Sequence, residues 1–178
     1  MDFTEKTVES NLRFKGRVFT VLEDKIELPG GHHASRELIR HPGGVCVAAL
    51  TAENELIFVR QFRYPYAKVL LELPAGKLER GEEPLHCAIR ELREETGAAA
   101  DTVESLGQIY PSPGYTDEIL HLFLATGLHY GDAQPDEDEF LTCERIPLAD
   151  AAEMTLRGEI CDAKTAVAVL KLWAKRRD

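Results

Sequence analysis

The sequence predicts an α/β (α+β) fold, a mixed β-sheet with helices packed on it, and three observations carry that prediction. Short apolar-alternating runs recur through the first 75 residues. One helix-patterned segment near residue 90 interrupts them, and two further helix patterns follow the last strand signal. With 178 residues, the chain has enough length for one substantial core.

Residues 12–28 hold two apolar-alternating runs around Glu23-Asp24, which predicts a hairpin turning there. "PGGHHASRELIRHPGG" (29–44) is bounded by Pro-Gly breaks, with a short strand from Arg36 to Arg40 between them. "GVCVAAL" and "ELIFVRQF" read as strands joined by a hairpin turn at Ala52-Glu53-Asn54. "KVLLELPAG" reads as a strand ended by proline and glycine. Next comes a helix with Pro84 at its first position and Gly97 as its left-handed stop. Leu85, Ala88, Ile89 and Leu92 give that helix one apolar face. Strands are expected near 103–110, 118–126 and 139–146, then a helix from Leu148 to Arg157. A final helix opens at Asp162, buries Ala166, Val169, Leu170 and Trp173, and ends in Lys175-Arg176-Arg177, which suits its dipole.

A net charge of −10 repels nucleic-acid backbones and anionic membranes, so neither is expected as a partner. A phosphate-bearing ligand would then need a divalent cation between it and the protein. Cys46, Cys87, Cys143 and Cys161 are scattered without zinc spacing and read as reduced packing thiols. The charged start, MDFTEKTVES, is no signal peptide, and no apolar run reaches membrane-spanning length. A soluble, cytoplasmic protein is expected.

The segment "GKLERGEEPLHCAIRELREETGA" (76–98) packs six glutamates and four basic residues into 23 positions. A solvated helix face is the ordinary reading of such a run. At 100° per residue, however, Glu91 and Glu95 stack on one side beside the apolar face, and Glu94 lies next to them. Arg90 can pair with Glu94 at i+4. Like charges at i and i+4 repel, at about 0.2–0.5 kcal/mol per pair. A hard cation turns that repulsion into coordination, because magnesium takes oxygen ligands. Glu79, Glu82 and the Ala75 carbonyl lie in the preceding loop, so the region reads as a metal platform.

Gly76, Glu82 and Arg90-Glu91-Leu92-Arg93-Glu94-Glu95-Thr96-Gly97, at spacings of five and seven, resemble the Nudix box of hydrolases acting on nucleoside-diphosphate-linked compounds. Seven fixed positions, each at a background frequency of roughly 7%, match by chance about once in 10⁸ starts. That decides against the solvated face. Ala98 departs from the box, which carries a larger aliphatic there. The resemblance implies an α/β/α sandwich with a mixed sheet, preceded by an N-terminal β-hairpin or small antiparallel sheet. It implies metal ligation by Glu91 and Glu95, with Glu94 and the Ala75 carbonyl, and a role for Arg90 in orienting a glutamate. Magnesium is the expected cofactor, with manganese as an alternative.

"SRELIRHPGGVCVAAL", "LIFVRQFRYP", "LLELPAGKLERGEEP", "SPGYTDE", "DEDEF" and "GEICDAKT" together resemble the ADP-ribose pyrophosphatase branch of that family. The likeness implies that Arg36 and Glu37 face the terminal ribose and phosphates, and that Arg63 binds the diphosphate. Read alone, Arg36 is a strand-edge residue, and Arg63 in its aromatic run could equally serve packing. Pro113 lies 15 residues past Ala98, where the branch carries a proline, and Pro113 and Gly114 are expected to bind substrate. Glu137, with Glu139 second, would be the catalytic base, or a further metal ligand, on the acidic loop. Arg90 and Glu94 complete the catalytic set. Residues 1–40 would form a dimerisation element, with Arg17, Val18 and Phe19 as candidates to stack on adenine, and 41–178 the hydrolase domain. The expected partners are a nucleoside diphosphate sugar and a second copy of the chain.

Magnesium-dependent hydrolysis of ADP-ribose to AMP and ribose 5-phosphate is the leading expectation. GDP-mannose or another nucleotide sugar is an alternative within the same chemistry, decided by a substrate panel. A nucleotide-sensing module without catalysis is the alternative from another class. The intact set of Glu82, Arg90, Glu91, Glu94 and Glu95 speaks against it.

Overall fold

The computed structural model describes residues 2–131 and 140–176. The chain divides into two compact units, Met1–Gly43 with Tyr110–Ile119, and Gly44–Ile109 with Leu120–Asp178. Residues 110–119, expected within 41–178, group with the first unit.

The first unit is a three-stranded antiparallel sheet of β1 (Lys6–Lys15), β2 (Thr20–Glu27) and β3 (His33–Arg40), in that order. Its first turn is not at Glu23-Asp24 but at Gly16–Phe19, where the Gly16 amide donates to the Phe19 carbonyl at 2.9 Å. The acidic pair lies within β2 and reaches across the sheet. Arg13 Nε donates to Glu23 at 2.7 Å and Ser10 Oγ to Asp24 at 2.5 Å. Two adjacent acids resemble a turn in sequence, but here each answers a partner on β1. Residues 110–119 lie along β3, with the Ile39 amide donating to the Tyr115 carbonyl and the Asp117 amide to the Ile39 carbonyl.

The second unit contains two sheets. One is mixed, in the order β7 (Ala75–Lys77), β4 (Gly44–Ala49), β9 (Leu120–Tyr130), β8 (Ala98–Ile109), with β4 and β9 parallel. The other is antiparallel, with β5 (Glu55–Arg63) between β10 (Leu141–Pro147) and β6 (Lys68–Glu72). Strand β4 explains the sandwich. Its alternate residues Val45, Val47 and Ala49 pack with Ala88 and Leu92 of α1 (Pro84–Thr96). Cys46 and Ala48 pack the other way, with Ala151 and Ala152 of α2 (Leu148–Leu156) and Val169 and Leu172 of α3 (Ala163–Lys175). Successive strand residues point to opposite faces, so a strand apolar at every position is one covered on both sides.

Three expectations need correction. A tight turn does join β4 and β5, with the Thr51 amide donating to the Glu55 carbonyl, but the strands part at once into different sheets. "KVLLELPAG" is not one strand. At Leu73-Pro74 the chain crosses from the β5 sheet to the β4 sheet, so that Ala75–Lys77 pairs with β4. The buried face of α3 is also turned slightly from the expected one. Thr165, Ala168, Val169 and Leu172 are buried, while Ala166, Leu170 and Trp173 are half-buried. Among the described residues, no helix is long and apolar enough to cross a membrane.

Candidate active site

Helix α1 is bounded as its sequence requires. Pro84 opens it, and Gly97 closes it at φ 69°, its amide donating to the Arg93 carbonyl at 2.8 Å. Its rotation differs from the apolar pattern. Leu85 and Ile89 are 42% and 46% exposed, whereas Glu91 and Glu95 are 8% and 2% exposed. The two glutamates therefore do not flank the buried face but form part of it, with Cys87, Ala88 and Leu92. The reason lies on β7. The Ala75 amide donates to Glu95 Oε2 at 3.1 Å, and the Glu91 carboxylate fills the space beside Gly76. A Cβ at residue 76 would stand 1.8 Å from Glu91 Cδ, so only glycine leaves that carboxylate its place.

Arg90 holds the acids in register. Its Nε and Nη2 donate to the two carboxylate oxygens of Glu82 at 2.9 and 3.0 Å. Its Nη1 donates to Glu91 Oε1 at 2.8 Å and to Glu94 Oε2 at 2.9 Å, the latter being the expected i+4 pair. Hydrogen bonds from Arg90 draw the Glu82 carboxyl down to about 2. The hydrogen bonds to Glu82, and then to the other acids, push Arg90 above its ordinary range. One guanidinium thus serves Glu82, Glu91 and Glu94, while Glu95 sits on a backbone amide. Among the described residues, Glu82, Glu91, Glu94 and Glu95 bring four carboxylates together near Arg90 and β7. A hollow of about 400 Å³ on the exposed flank of α1 is lined by His86, Ile89, Arg90, Arg93 and Glu94.

Among the described residues, no three His, Cys, Asp or Glu side chains converge into a ready-made metal cage. Magnesium does not need one, because it binds through one or two carboxylates and leaves its other positions to water and phosphate. Glu91 and Glu95 supply hard oxygen donors one turn apart on a buried, acid-rich edge. That donor set fits the ion.

A second ionic assembly lies at the β6–β7 corner. Glu72 is 1% exposed and takes a two-pronged hydrogen bond from Arg63, Nε and Nη2 each at 2.7 Å. Lys164 Nζ also donates to Glu72 and pairs with Asp162 at 3.0 Å. Asp162 caps α3, accepting from the Thr165 amide at 3.0 Å and from Thr165 Oγ1 at 2.6 Å. Thr165 Oγ1 in turn accepts from the Leu73 amide at 2.9 Å. Burial pushes the Glu72 carboxyl upward, but the bonds from Arg63 and the Lys164 charge outweigh it and leave it below its ordinary value.

The remaining candidates fall as follows. Arg36 pairs with Glu5 at 2.5 Å on the first unit, and the pleat of β3 sends Arg36 and Glu37 to opposite faces. Pro113 and Gly114 are exposed in a turn of that unit, beside Asp117, which accepts from the His41 amide and from Arg40. Val18 and Phe19 are 43% and 39% exposed next to Arg17 at the β1–β2 turn. Ala75, Arg90, Glu91, Glu94 and Glu95 come together, and Arg63 lies on the same unit. Glu137 and Glu139 lie outside the described residues. Of the cysteines, Cys46 and Cys87 are buried as expected of packing residues, whereas Cys143 and Cys161 are exposed. Sequence reasoning missed Glu72 and Lys164. The signal available for them was an acid inside the apolar run "VLLEL" and a lysine in the first turn of an apolar helix.

A family model described as NUDIX domain matches residues 40–166. Over 173 residues the chain is 43% identical to the ADP-ribose pyrophosphatase of Bacillus subtilis (strain 168), covering 96% of this chain and 94% of that protein. Over 169 residues it is 44% identical to the methanol dehydrogenase activator of Bacillus methanolicus, covering 94% and 91%. Its fold is similar to the crystal structure of an ADP compounds hydrolase, with a TM-score of 0.85 over 99% of this chain and 98% of that one at 23% identity.

Proposed function

The chain belongs to the Nudix family, and from that membership we propose that it hydrolyses the diphosphate linkage of ADP-ribose to AMP and ribose 5-phosphate with magnesium. The observation that carries this reading is the gathering of carboxylates at the β7 edge, with Glu91 seated against Gly76 and Glu95 on the Ala75 amide. Such an edge repels a diphosphate unless a cation joins them. The choice of ADP-ribose follows the Bacillus subtilis relative.

Glu91 and Glu95, with Glu94 and the Ala75 carbonyl, would hold the cation. A bound divalent ion supplies Lewis-acid polarisation of the phosphoryl oxygens and offsets their charge. Arg90 orients Glu91 and Glu94 through its Nη1 hydrogen bonds. Arg63 contacts the diphosphate. Glu137, or Glu139 in its place, takes the proton from the attacking water, whose oxygen bonds to phosphorus as the bridging P–O bond breaks. Of Arg36 and Glu37, which β3 sends to opposite faces, one contributes to recognition of the terminal ribose and phosphates, and Pro113 and Gly114 belong to the substrate-binding set. The protein acts in the cytoplasm as a homodimer built on residues 1–40. Val8, Leu12 and Phe14 of β1 are 54%, 59% and 55% exposed, an apolar edge that a second copy would cover.

The test is turnover of ADP-ribose, GDP-mannose, ADP and ATP with magnesium, products being separated by ion exchange. ADP-ribose should show the highest kcat/KM, and excess EDTA should abolish activity. GDP-mannose, or a dinucleotide added to the same panel, winning by about tenfold, roughly 1.4 kcal/mol of transition-state preference, would overturn the assignment. Light scattering at micromolar concentration should give twice the chain mass, and an active monomer would refute the dimer.

A further inference from the structure

Arg63 spends Nε and Nη2 on Glu72 and keeps Nη1 in reserve. Among the described residues nothing accepts from Nη1, and the side chain is 37% exposed. A guanidinium held by one edge presents its other edge at a fixed angle, which is what docking a phosphate oxygen requires. Such a hold is only as good as the carboxylate beneath it. Glu72 is buried, so it stays ionised and fixed only if its charge is met from within the protein.

Lys164 meets that charge. Its side chain is 11% exposed, it approaches Glu72 from α3, and Asp162 pairs with it in turn. Thr165 ties the same helical turn to the Leu73 amide. Leu73 stands two residues before Ala75, whose amide holds Glu95. The hydrogen bonds to Glu72 raise Arg63 most, and the charge of Glu95 adds a smaller part, which places the guanidinium within electrostatic reach of the acidic edge.

We infer that Lys164, at the start of α3, is a positioning residue for diphosphate binding: with Asp162 and Thr165 it fixes Glu72, and Glu72 aims the unpaired edge of Arg63 at the substrate. This gives "CDAKT" a purpose that packing alone does not require, since alanine or serine would serve a helix start as well. The inference rests on the proposed function in one respect, that Arg63 contacts the diphosphate. Lys164 itself touches no substrate. Its influence passes through Glu72 and Arg63, so it acts on binding more than on the chemical step.

A double-mutant cycle of Lys164→Met and Arg63→Ala tests this, reading kcat and KM for ADP-ribose and, by calorimetry, the Kd of its non-hydrolysable α,β-methylene analogue with magnesium. Lys164→Met should raise KM and Kd about tenfold, the size of one weakened charge-assisted hydrogen bond. Its kcat should stay within about threefold of the wild type, because uniform binding is what is lost. The double variant should match Arg63→Ala to within about twofold, since residues acting through one contact are not additive. Additive losses, or a fall in kcat at unchanged KM, would overturn the coupling. If Lys164→Met fails to unfold cooperatively, Glu72→Gln takes its place and must give the same KM-dominated, non-additive pattern. A wild-type protein that neither binds the analogue nor turns over ADP-ribose would overturn the functional reading, and this inference with it. A wild type that does both, with Arg63→Ala harmless, overturns the inference alone.

Discussion

Helices α1 and α3 are each 13 residues long, and each buries a polar pair in the second unit, Glu91 with Glu95 on one and Lys164 with Thr165 on the other. The pairs differ in how their charges are met. On α3, Lys164 is answered by Glu72 and Asp162, Glu72 by Arg63, and Thr165 by Asp162 and the Leu73 amide. Two cations meet two anions, and the set closes on itself. On α1, one guanidinium is divided among Glu82, Glu91 and Glu94, while Glu95 has an amide dipole beside it. A self-balanced assembly stays fixed without a ligand and acts as a brace for the groups it carries. Carboxylates gathered by packing around one guanidinium are the kind of donor set that a cation from outside would complete.

The largest expected effect separates the two helices directly. Glu91→Gln or Glu95→Gln should lower kcat by at least about 10²-fold, the cost of losing a key electrostatic element. Either change should also abolish the rise in Tm that magnesium gives the wild type, because a ligand stabilises only the state that binds it. The Thr165→Val variant, on the brace, should keep that rise in full. If magnesium still stabilises Glu91→Gln and Glu95→Gln, the carboxylates on α1 are not a metal site.

Gly76→Ala should come next and approach Glu91→Gln in activity while the fold persists. The added methyl would displace the Glu91 carboxylate, which is the far end of a flexible chain and can move. Combining Gly76→Ala with Glu91→Gln should therefore cost no more than either alone, to within about 0.5 kcal/mol. Kinetics of the three variants decide it, and additive losses would mean that Gly76 acts through the backbone of β7.

Much of α1 was legible because its signals are local. Pro84, Gly97 and the spacing of the acids are properties of consecutive residues. Its rotation was not, since Leu85 and Ile89 supply the apolar pattern yet the helix turns to seat Glu91 and Glu95 against β7. The membership of Ala75–Lys77 in a second sheet, and the meeting of Glu72 with Lys164 92 residues later, depend on contacts that no window of sequence contains. The misplaced turn at Glu23-Asp24 has the same cause, because Arg13 and Ser10 make strand residues of two acids that in isolation favour a turn.

Thr165→Val should measure the brace. It leaves the buried Leu73 amide without its acceptor and removes one of the hydrogen bonds on Asp162. A loss of about 1–3 kcal/mol in stability is expected, read from the urea midpoint at unchanged slope. A loss under about 0.5 kcal/mol would show that the α3 start is held by apolar packing instead.

The smallest effect concerns the Arg90 clamp and acid. Arg90 draws the Glu82 carboxyl from 4.5 to about 2. A carboxyl whose pKa is lower in the folded protein stabilises the fold in full above its unfolded value. That contribution fades as pH falls through its folded value. The difference in Tm between the wild type and Glu82→Gln, measured in EDTA, should therefore be constant above about pH 5 and shrink between pH 4.5 and 2. Glu72 is also held low, so Glu72→Gln should show a difference that closes in the acid direction as well. The two should differ in size at neutral pH. Glu72 is 1% exposed, so neutralising it leaves the buried Lys164 with Asp162 alone and takes the two-pronged partner from Arg63, whereas Glu82 and Arg90 are half-buried and partly screened by water. A Glu82→Gln difference that persists unchanged at pH 2 would mean that the carboxylate acts there by shape, and that charge is not what distinguishes the α1 clamp from the α3 brace.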